Sequence, residues 1–217
     1  MLAEERFSKI LSIIEEAGSV TVQDLMEELG ASESTIRRDL NTMDANGLLV
    51  KVFGGAVAKN TNIRTQDENV DNRKLQNIEE KVAIAKYAAS LIQSGDFVYI
   101  DAGTSTELVI DYIKVANVTF VTNSLTHAKK LSDKGYTVYI LGGEFKSTTE
   151  AIVGEEAVET LDKYNFTKGF WGTNGVNITK GFTTPEVKEA MVKKKSMENC
   201  KECYVLADDS KFNQISS

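Results

Sequence analysis

Residues 32–56 read SESTIRRDLNTMDANGLLVKVFGGA, and this stretch decides how the first part of the chain folds. Ser32 is a ready helix N-cap, and Glu33 follows it in the first turn, where a negative charge is favourable. Ile36, Leu40 and Met43 recur at helical spacing and mark an inward stripe, which Asn46-Gly47 closes. Two short apolar runs, 48–53 and 56–58, then flank Gly54-Gly55, a two-residue turn signal between strands. With the stripe turned inward, Ser34, Thr35, Arg37 and Arg38 crowd the opposite, N-terminal face. That is the part of a recognition helix that enters a major groove. Arginine makes bidentate bonds to guanine edges or phosphate, and short hydroxyls reach either. Lys51 and Lys59 on the hairpin are placed to hold flanking DNA backbone.

Toward the N-terminus, Thr21 and Asp24 form a weak capping box, and Val22, Leu25, Met26 and Leu29 give a short helix that Gly30 stops. Phe7, Ile10, Leu11 and Ile14 mark an amphipathic helix over 3–17, ended by Gly18. Three helices, a tight turn between the second and third, and a hairpin make a winged helix-turn-helix over residues 3–58.

The chain has 217 residues, 41% hydrophobic and 26% charged, enough apolar content for a buried core. No apolar run approaches the roughly 18 residues of a membrane span. The opening MLAEERFSKI is charged and then amphipathic, unlike a secretory signal. Two cysteines are too few for a disulfide framework, so a reducing cytoplasm is expected. The formal net charge of −7 argues mildly against nucleic acid until it is divided by segment. Residues 1–33 hold Arg6 and Lys9 against eight acids, a net of −6. Residues 34–59 hold Arg37, Arg38, Lys51 and Lys59 against Asp39 and Asp44, a net of +2. An acidic body with one basic edge meets DNA through that edge alone, and its binding weakens steeply with salt.

Residues 59–77 are polar, without a hydrophobic period, and read as a linker. From Ile78 onward strands and helices alternate, which predicts an α/β domain with a largely parallel sheet over 78–217. The first helix is apolar on two sides, as expected of one buried between layers. Polar residues cluster just past the strand ends, most sharply in Asp101-Ala102-Gly103-Thr104-Ser105-Thr106. Open α/β sheets bind ligands along that edge. Gly103 allows close backbone approach, and the hydroxyls of Thr104, Ser105 and Thr106 sit at a helix N-terminus, a suitable seat for phosphate or another small anion. The same residues also suit a plain strand–helix cap. Neither a Walker loop nor a dinucleotide fingerprint is present in the sequence.

The S-x-x-T-I-R-R-D-L core at 32–40, with Gly47-Leu48-Leu49 and Phe53-Gly54-Gly55-Ala56 after it, resembles the DeoR-type bacterial transcriptional regulators. The D-A-G-T-S-T segment at 101–106, T-N-S at 122–124, G-G-E at 142–144, G-T-N-G at 172–175 and L-A-D-D-S-K-F at 206–212 resemble the sensor domain of that family. The resemblance implies a sensor fold similar to sugar-phosphate isomerases and deaminases. It gives the phosphate to Gly103, Thr104, Ser105 and Thr106, and makes Asp101, Asn123, Glu144, Glu186 and Lys211 candidates for the sugar hydroxyls or phosphate. Asp39 is expected to orient an arginine or cap locally. Family members usually continue past the S-K-F segment with another strand and helix, so a sensor domain cut short at its C-terminus is expected.

Other constellations carry little. Cys200-Lys201-Glu202-Cys203 lacks the further ligands of a zinc site and lies at a predicted helix end, the wrong end for a redox cysteine. His127 reads as a partly exposed packing residue, Lys193-Lys194-Lys195 as a solvated helix face, and Trp171 as core. The expected function is a non-enzymatic repressor of a sugar uptake or catabolism operon, acting as a homodimer or higher oligomer on a double-stranded operator. The family resemblance implies a phosphorylated sugar as effector, with fructose 1-phosphate favoured and tagatose 6-phosphate open. No cofactor, metal or membrane partner is called for. An activator of the same class and a sugar-phosphate isomerase-like enzyme are the alternatives.

Overall fold

A computed structural model describes residues 2–17, 19–58 and 70–216. The chain divides into two compact units, Met1–Asn62 and Ile63–Ser217.

The first unit runs α1 (Ala3–Ala17), β1 (Ser19–Thr21), α2 (Val22–Leu29), α3 (Glu33–Ala45), β2 (Leu49–Val52) and β3 (Gly55–Ala58). The local signals act as expected. Thr21 and Asp24 close a capping box, the Asp24 N–H donating to Thr21 Oγ1 at 3.1 Å and the Thr21 N–H to Asp24 Oδ2 at 3.2 Å. Gly30 ends α2 in the left-handed region at φ 60°, and the Ser32 hydroxyl accepts from the Thr35 N–H at 3.4 Å. Ile10, Ile14, Leu25, Ile36, Leu40 and Met43 form the sealed core of this unit. The short strand β1 was not legible: it pairs antiparallel with β3, making a three-stranded sheet of order β1-β3-β2. The hairpin turn is Phe53-Gly54, one residue earlier than the glycine pair suggests, because Gly55 already pairs with Thr21 and Val52. A Cβ on Gly55 would fall 2.1 Å from the Val20 carbonyl oxygen, so the wing lies flush on β1 only because this residue has no side chain. Gly54 needs its freedom for a different reason, a φ of 85°.

The second unit begins with α4 (Val70–Lys74), where the sequence suggested only linker. No hydrophobic period announces it, because tertiary partners hold it. The Val70 N–H donates to the Thr148 carbonyl at 3.3 Å, and Lys74 lies 3.4 Å from Glu107. Then follow α5 (Ile78–Ser90), β4 (Phe97–Ile100), α6 (Thr104–Tyr112), β5 (Thr119–Thr122), α7 (Leu125–Asp133) and β6 (Thr137–Ile140). After these come β7 (Glu144–Lys146), β8 (Ala151–Val153), α8 (Glu155–Leu161), β9 (Phe166–Gly172), β10 (Gly175–Asn177), β11 (Gly181–Thr183), α9 (Val187–Glu198) and β12 (Cys200–Leu206). The main sheet has the order β12-β9-β4-β5-β6, all parallel, as the α/β reading predicts. Both faces are covered, which is why its central strands read as continuous apolar runs. Val98, Ile100, Phe120 and Phe170 pack against α5, α6 and α7, while Tyr99, Val121 and Trp171 pack against α8 and α9. Trp171 is fully buried core, with Nε1 donating to Ser196 Oγ at 2.9 Å.

From β4 the chain moves outward through β5 and β6 on one side, then returns to place β9 and β12 on the other. The order therefore reverses between β4 and β9, and a crevice opens past the ends of these two strands.

Candidate functional site

The first candidate site is the outer face of α3. Ser34, Arg37 and Arg38 are exposed there, and Thr35 is half-buried. Thr35 and Ser34 share the capping Ser32 hydroxyl, at 2.9 and 3.1 Å. Arg37 is drawn back along the helix onto Glu33, with Nη2 2.7 Å from the carboxylate. Arg38 is exposed and makes no ion pair among the described residues. Asp39 faces inward at 5% exposure and is gripped by Arg6 of α1, Nε to Oδ2 at 2.7 Å and Nη2 to Oδ1 at 3.1 Å. This fork pins the recognition helix to α1. Lys51 is less free than the sequence suggested. Its ammonium donates to Asn41 Oδ1 at 2.6 Å and its N–H to Asp44 Oδ1 at 3.0 Å, tying the wing to α3. Lys59 lies outside the described residues.

The second candidate site is the crevice between β4 and β9. Gly103, Thr104 and Ser105 line it from the first strand end, Gly172, Thr173 and Asn174 from the second, and Lys211 from the turn Asp209–Lys211. Thr106 points away. It is fully buried, and its hydroxyl donates to the Asp101 and Gly103 carbonyls at 2.7 and 2.9 Å, so it shapes the loop rather than lining the crevice. Asn123 is likewise a brace: its Oδ1 accepts from the Ala102 N–H at 2.8 Å and its Nδ2 reaches the Ile152 carbonyl. Asp101 is 1% exposed and accepts from the Gly172 N–H and from the Lys193 ammonium. Burial pushes its carboxyl up, and Lys193 opposes that shift.

Glu144 and Glu186 do not belong to the crevice. The hairpin β7–β8 carries Glu144 to a separate groove, where it pairs with Lys188 and is 61% exposed. Glu186 is the N-cap of α9, accepting from the Glu189 N–H at 3.2 Å. Lys193 is not on a solvated face, because Asp101 draws it inward to 15% side-chain exposure, while Lys194 stays outside at 80%.

Several lining residues escaped the sequence reading. Arg73 comes from α4, and Lys81 lies at 3% exposure on the same stripe of α5 as Ala85 and Ala88. Its ammonium donates to the Arg73 carbonyl at 2.5 Å. Glu189 is 6% exposed and accepts from Lys146 at 3.1 Å and from Thr149. The signal for Lys81 and Glu189 was a charge on the inward stripe of a helix. For Arg73 there was none. The crevice thus gathers four basic side chains, Arg73, Lys81, Lys193 and Lys211, with the residues at the N-terminus of α6. Glu189, a buried carboxylate, and the half-buried amide of Asn174 line the same crevice.

His127 is a further correction. It is 2% exposed, its Nδ1 has no hydrogen-bond partner among the described residues, and burial lowers its pKa to about 3 against a bond to the Gly103 backbone. It is a neutral ring beneath the anion loop. Cys200 opens β12 instead of ending a helix, and burial pushes its thiol up to about 12, which leaves no reactive thiolate there. Among the described residues no helix is long and apolar enough to cross a membrane.

Two family models match the chain: a DeoR-like helix-turn-helix domain over residues 6–62 and a DeoR C terminal sensor domain over residues 76–217. An uncharacterized HTH-type transcriptional regulator of Bacillus subtilis (strain 168), FruR, is 44% identical over 217 residues, covering 100% of this chain and 86% of its own length. The lactose phosphotransferase system repressor of Staphylococcus aureus (strain NCTC 8325 / PS 47) is 35% identical, covering 99% of this chain and 86% of its own. Among solved structures, ribose 5-phosphate isomerase A of Methanocaldococcus jannaschii aligns over 63% of this chain and 55% of its own, at 19% identity and a TM-score of 0.47. The two family matches and the full-length relatives together place the chain in the DeoR family of transcriptional regulators.

Proposed function

We propose that this regulator is a cytoplasmic repressor of a sugar uptake or catabolism operon, released from its operator by a phosphorylated sugar bound between β4 and β9. One observation carries the reading. The crevice at the reversal of strand order gathers four basic side chains, a helix N-terminus and the buried carboxylate of Glu189 in one lining. An anion with hydroxyl groups suits such a lining, its phosphate on the basic groups and its hydroxyls toward Glu189 and Asn174. Ser34, Arg37 and Arg38 take base edges and phosphates in the major groove, with Thr35 and Lys51 supporting them. Effector binds better to a conformation whose paired DNA domains no longer match the operator half-sites, and so shifts the population toward release. Paired half-sites call for a homodimer or higher oligomer. Repression is supported by the printed name of the staphylococcal relative. Fructose 1-phosphate is the favoured effector and tagatose 6-phosphate the next.

Thermal denaturation with a panel of fructose 1-phosphate, tagatose 6-phosphate, free fructose and inorganic phosphate tests this. The right sugar phosphate at about 100 times its Kd adds about 2.7 kcal/mol, a rise of roughly 5–10 °C. Free fructose gives none, and Lys211→Ala removes most of the rise. No shift with any phosphorylated sugar would sink the effector assignment.

A further inference from the structure

The side chain of Phe53, at the turn between β2 and β3, is fully exposed at 108% relative accessibility. Val50 and Val52 beside it are 40% and 41% exposed. The ring and the two part-exposed valines give the wing an apolar surface in contact with water. The turn presenting it is firmly held. The Val22 N–H donates to the Gly54 carbonyl at 2.9 Å, and Gly55 lies flush against Val20 and Thr21. Two bonds from Lys51, to Asn41 at 2.6 Å and to Asp44 at 3.0 Å, fasten the preceding strand to α3. Asn41 lies one turn beyond Arg38 on the exposed side of that helix. The strand therefore runs beside the recognition face, and the turn that carries Phe53 begins two residues after Lys51.

We propose that Phe53 is an apolar wedge for the DNA minor groove, flanking the major-groove half-site read by α3 and selecting a deformable base step there. The proposal rests on α3 reading DNA. Phenylalanine has no donor or acceptor and reads no base edge by hydrogen bonding. It acts by packing on sugars and pressing between stacked bases, which is easiest at TA and CA/TG steps. A ring on a fixed turn loses little freedom on insertion. The wing thus adds sequence preference at positions that no polar side chain touches.

The test uses the full chain and a random double-stranded DNA library. Wild type enriches sites with a TA or CA/TG step at a fixed distance from the half-site, and 2-aminopurine placed at that step brightens on binding as it unstacks. Phe53→Ala keeps the wild-type melting temperature, binds the enriched site about tenfold more weakly and no longer selects the step. The slope of log K against log salt stays the same, since no phosphate contact is lost. Phe53→Trp retains the selection. Binding by Phe53→Ala within twofold of wild type, with the same step enriched, overturns the wedge while leaving α3 as reader. If wild type enriches no sequence, or Arg38→Ala binds as well as wild type, the reading of α3 fails and takes the wedge with it.

Discussion

The recognition face and the effector crevice are built in opposite ways. On α3 the candidate contacts lie within five consecutive residues, Ser34 to Arg38, and one helical period decides which side chains face out. In the crevice the lining comes from α4, α5, α9, the loops after β4 and β9, and the turn at Lys211, brought together by the parallel sheet. A site on one helix face is specified locally and survives as long as the helix is held in place. A site between strand ends depends on every element that positions it. Substitutions should divide accordingly, into those that remove a contact without disturbing the fold and those that loosen the fold itself.

Arg38→Ala gives the largest effect. Loss of one bidentate base or phosphate contact costs about 1–3 kcal/mol, so operator affinity falls roughly tenfold to a hundredfold with no change in melting temperature. Arg37→Ala is milder, because Glu33 already holds that guanidinium at 2.7 Å and must release it on DNA. Fluorescence anisotropy on the two variants breaks this assignment if their losses are equal or reversed.

Thr106→Val and Ser105→Ala sharpen the contrast inside one loop. The Thr106 hydroxyl is buried on two carbonyls, and its loss destabilises the sensor unit by about 1–3 kcal/mol, seen as a lower melting temperature without effector. Ser105 lines the crevice, so its alanine variant melts normally and loses part of the effector-induced rise. Were Thr106→Val to melt as wild type, the loop would not depend on that brace.

The gentlest effect is acid dependence at His127. Its pKa falls from 6.5 to about 3 on burial, so between those values the unfolded chain binds a proton that the folded one does not. The stability from the neutral ring is therefore complete above pH 6.5 and drains away as pH falls toward 3, at most about 1.4 kcal/mol per pH unit. His127→Gln flattens that limb of a melting-temperature profile between pH 7 and 5. An unchanged slope would mean that other groups carry it.

The same contrast explains what was legible. Ser32, Ile36, Leu40, Met43 and the glycine pair act through neighbours a few residues away, so the winged helix-turn-helix could be read directly. Parallel alternation and the loop at 101–106 were also local patterns. What escaped was decided by long-range contact. Lys193 turns inward because Asp101, 92 residues earlier, waits at the end of β4. Glu144 leaves the crevice because β7 pairs with β8 instead of extending the main sheet. α4 forms because Thr148 and Glu107 meet it.

The two glycines of the wing differ in what could replace them. Gly54 has open space around its missing Cβ and needs only a left-handed backbone, so asparagine is a workable substitute. Gly55 has an ordinary backbone and no room at all. A saturation library at these codons would therefore keep a small alphabet at 54 and a single letter at 55. The tolerance of the wing to mutation is limited at one codon by torsion and at the next by volume.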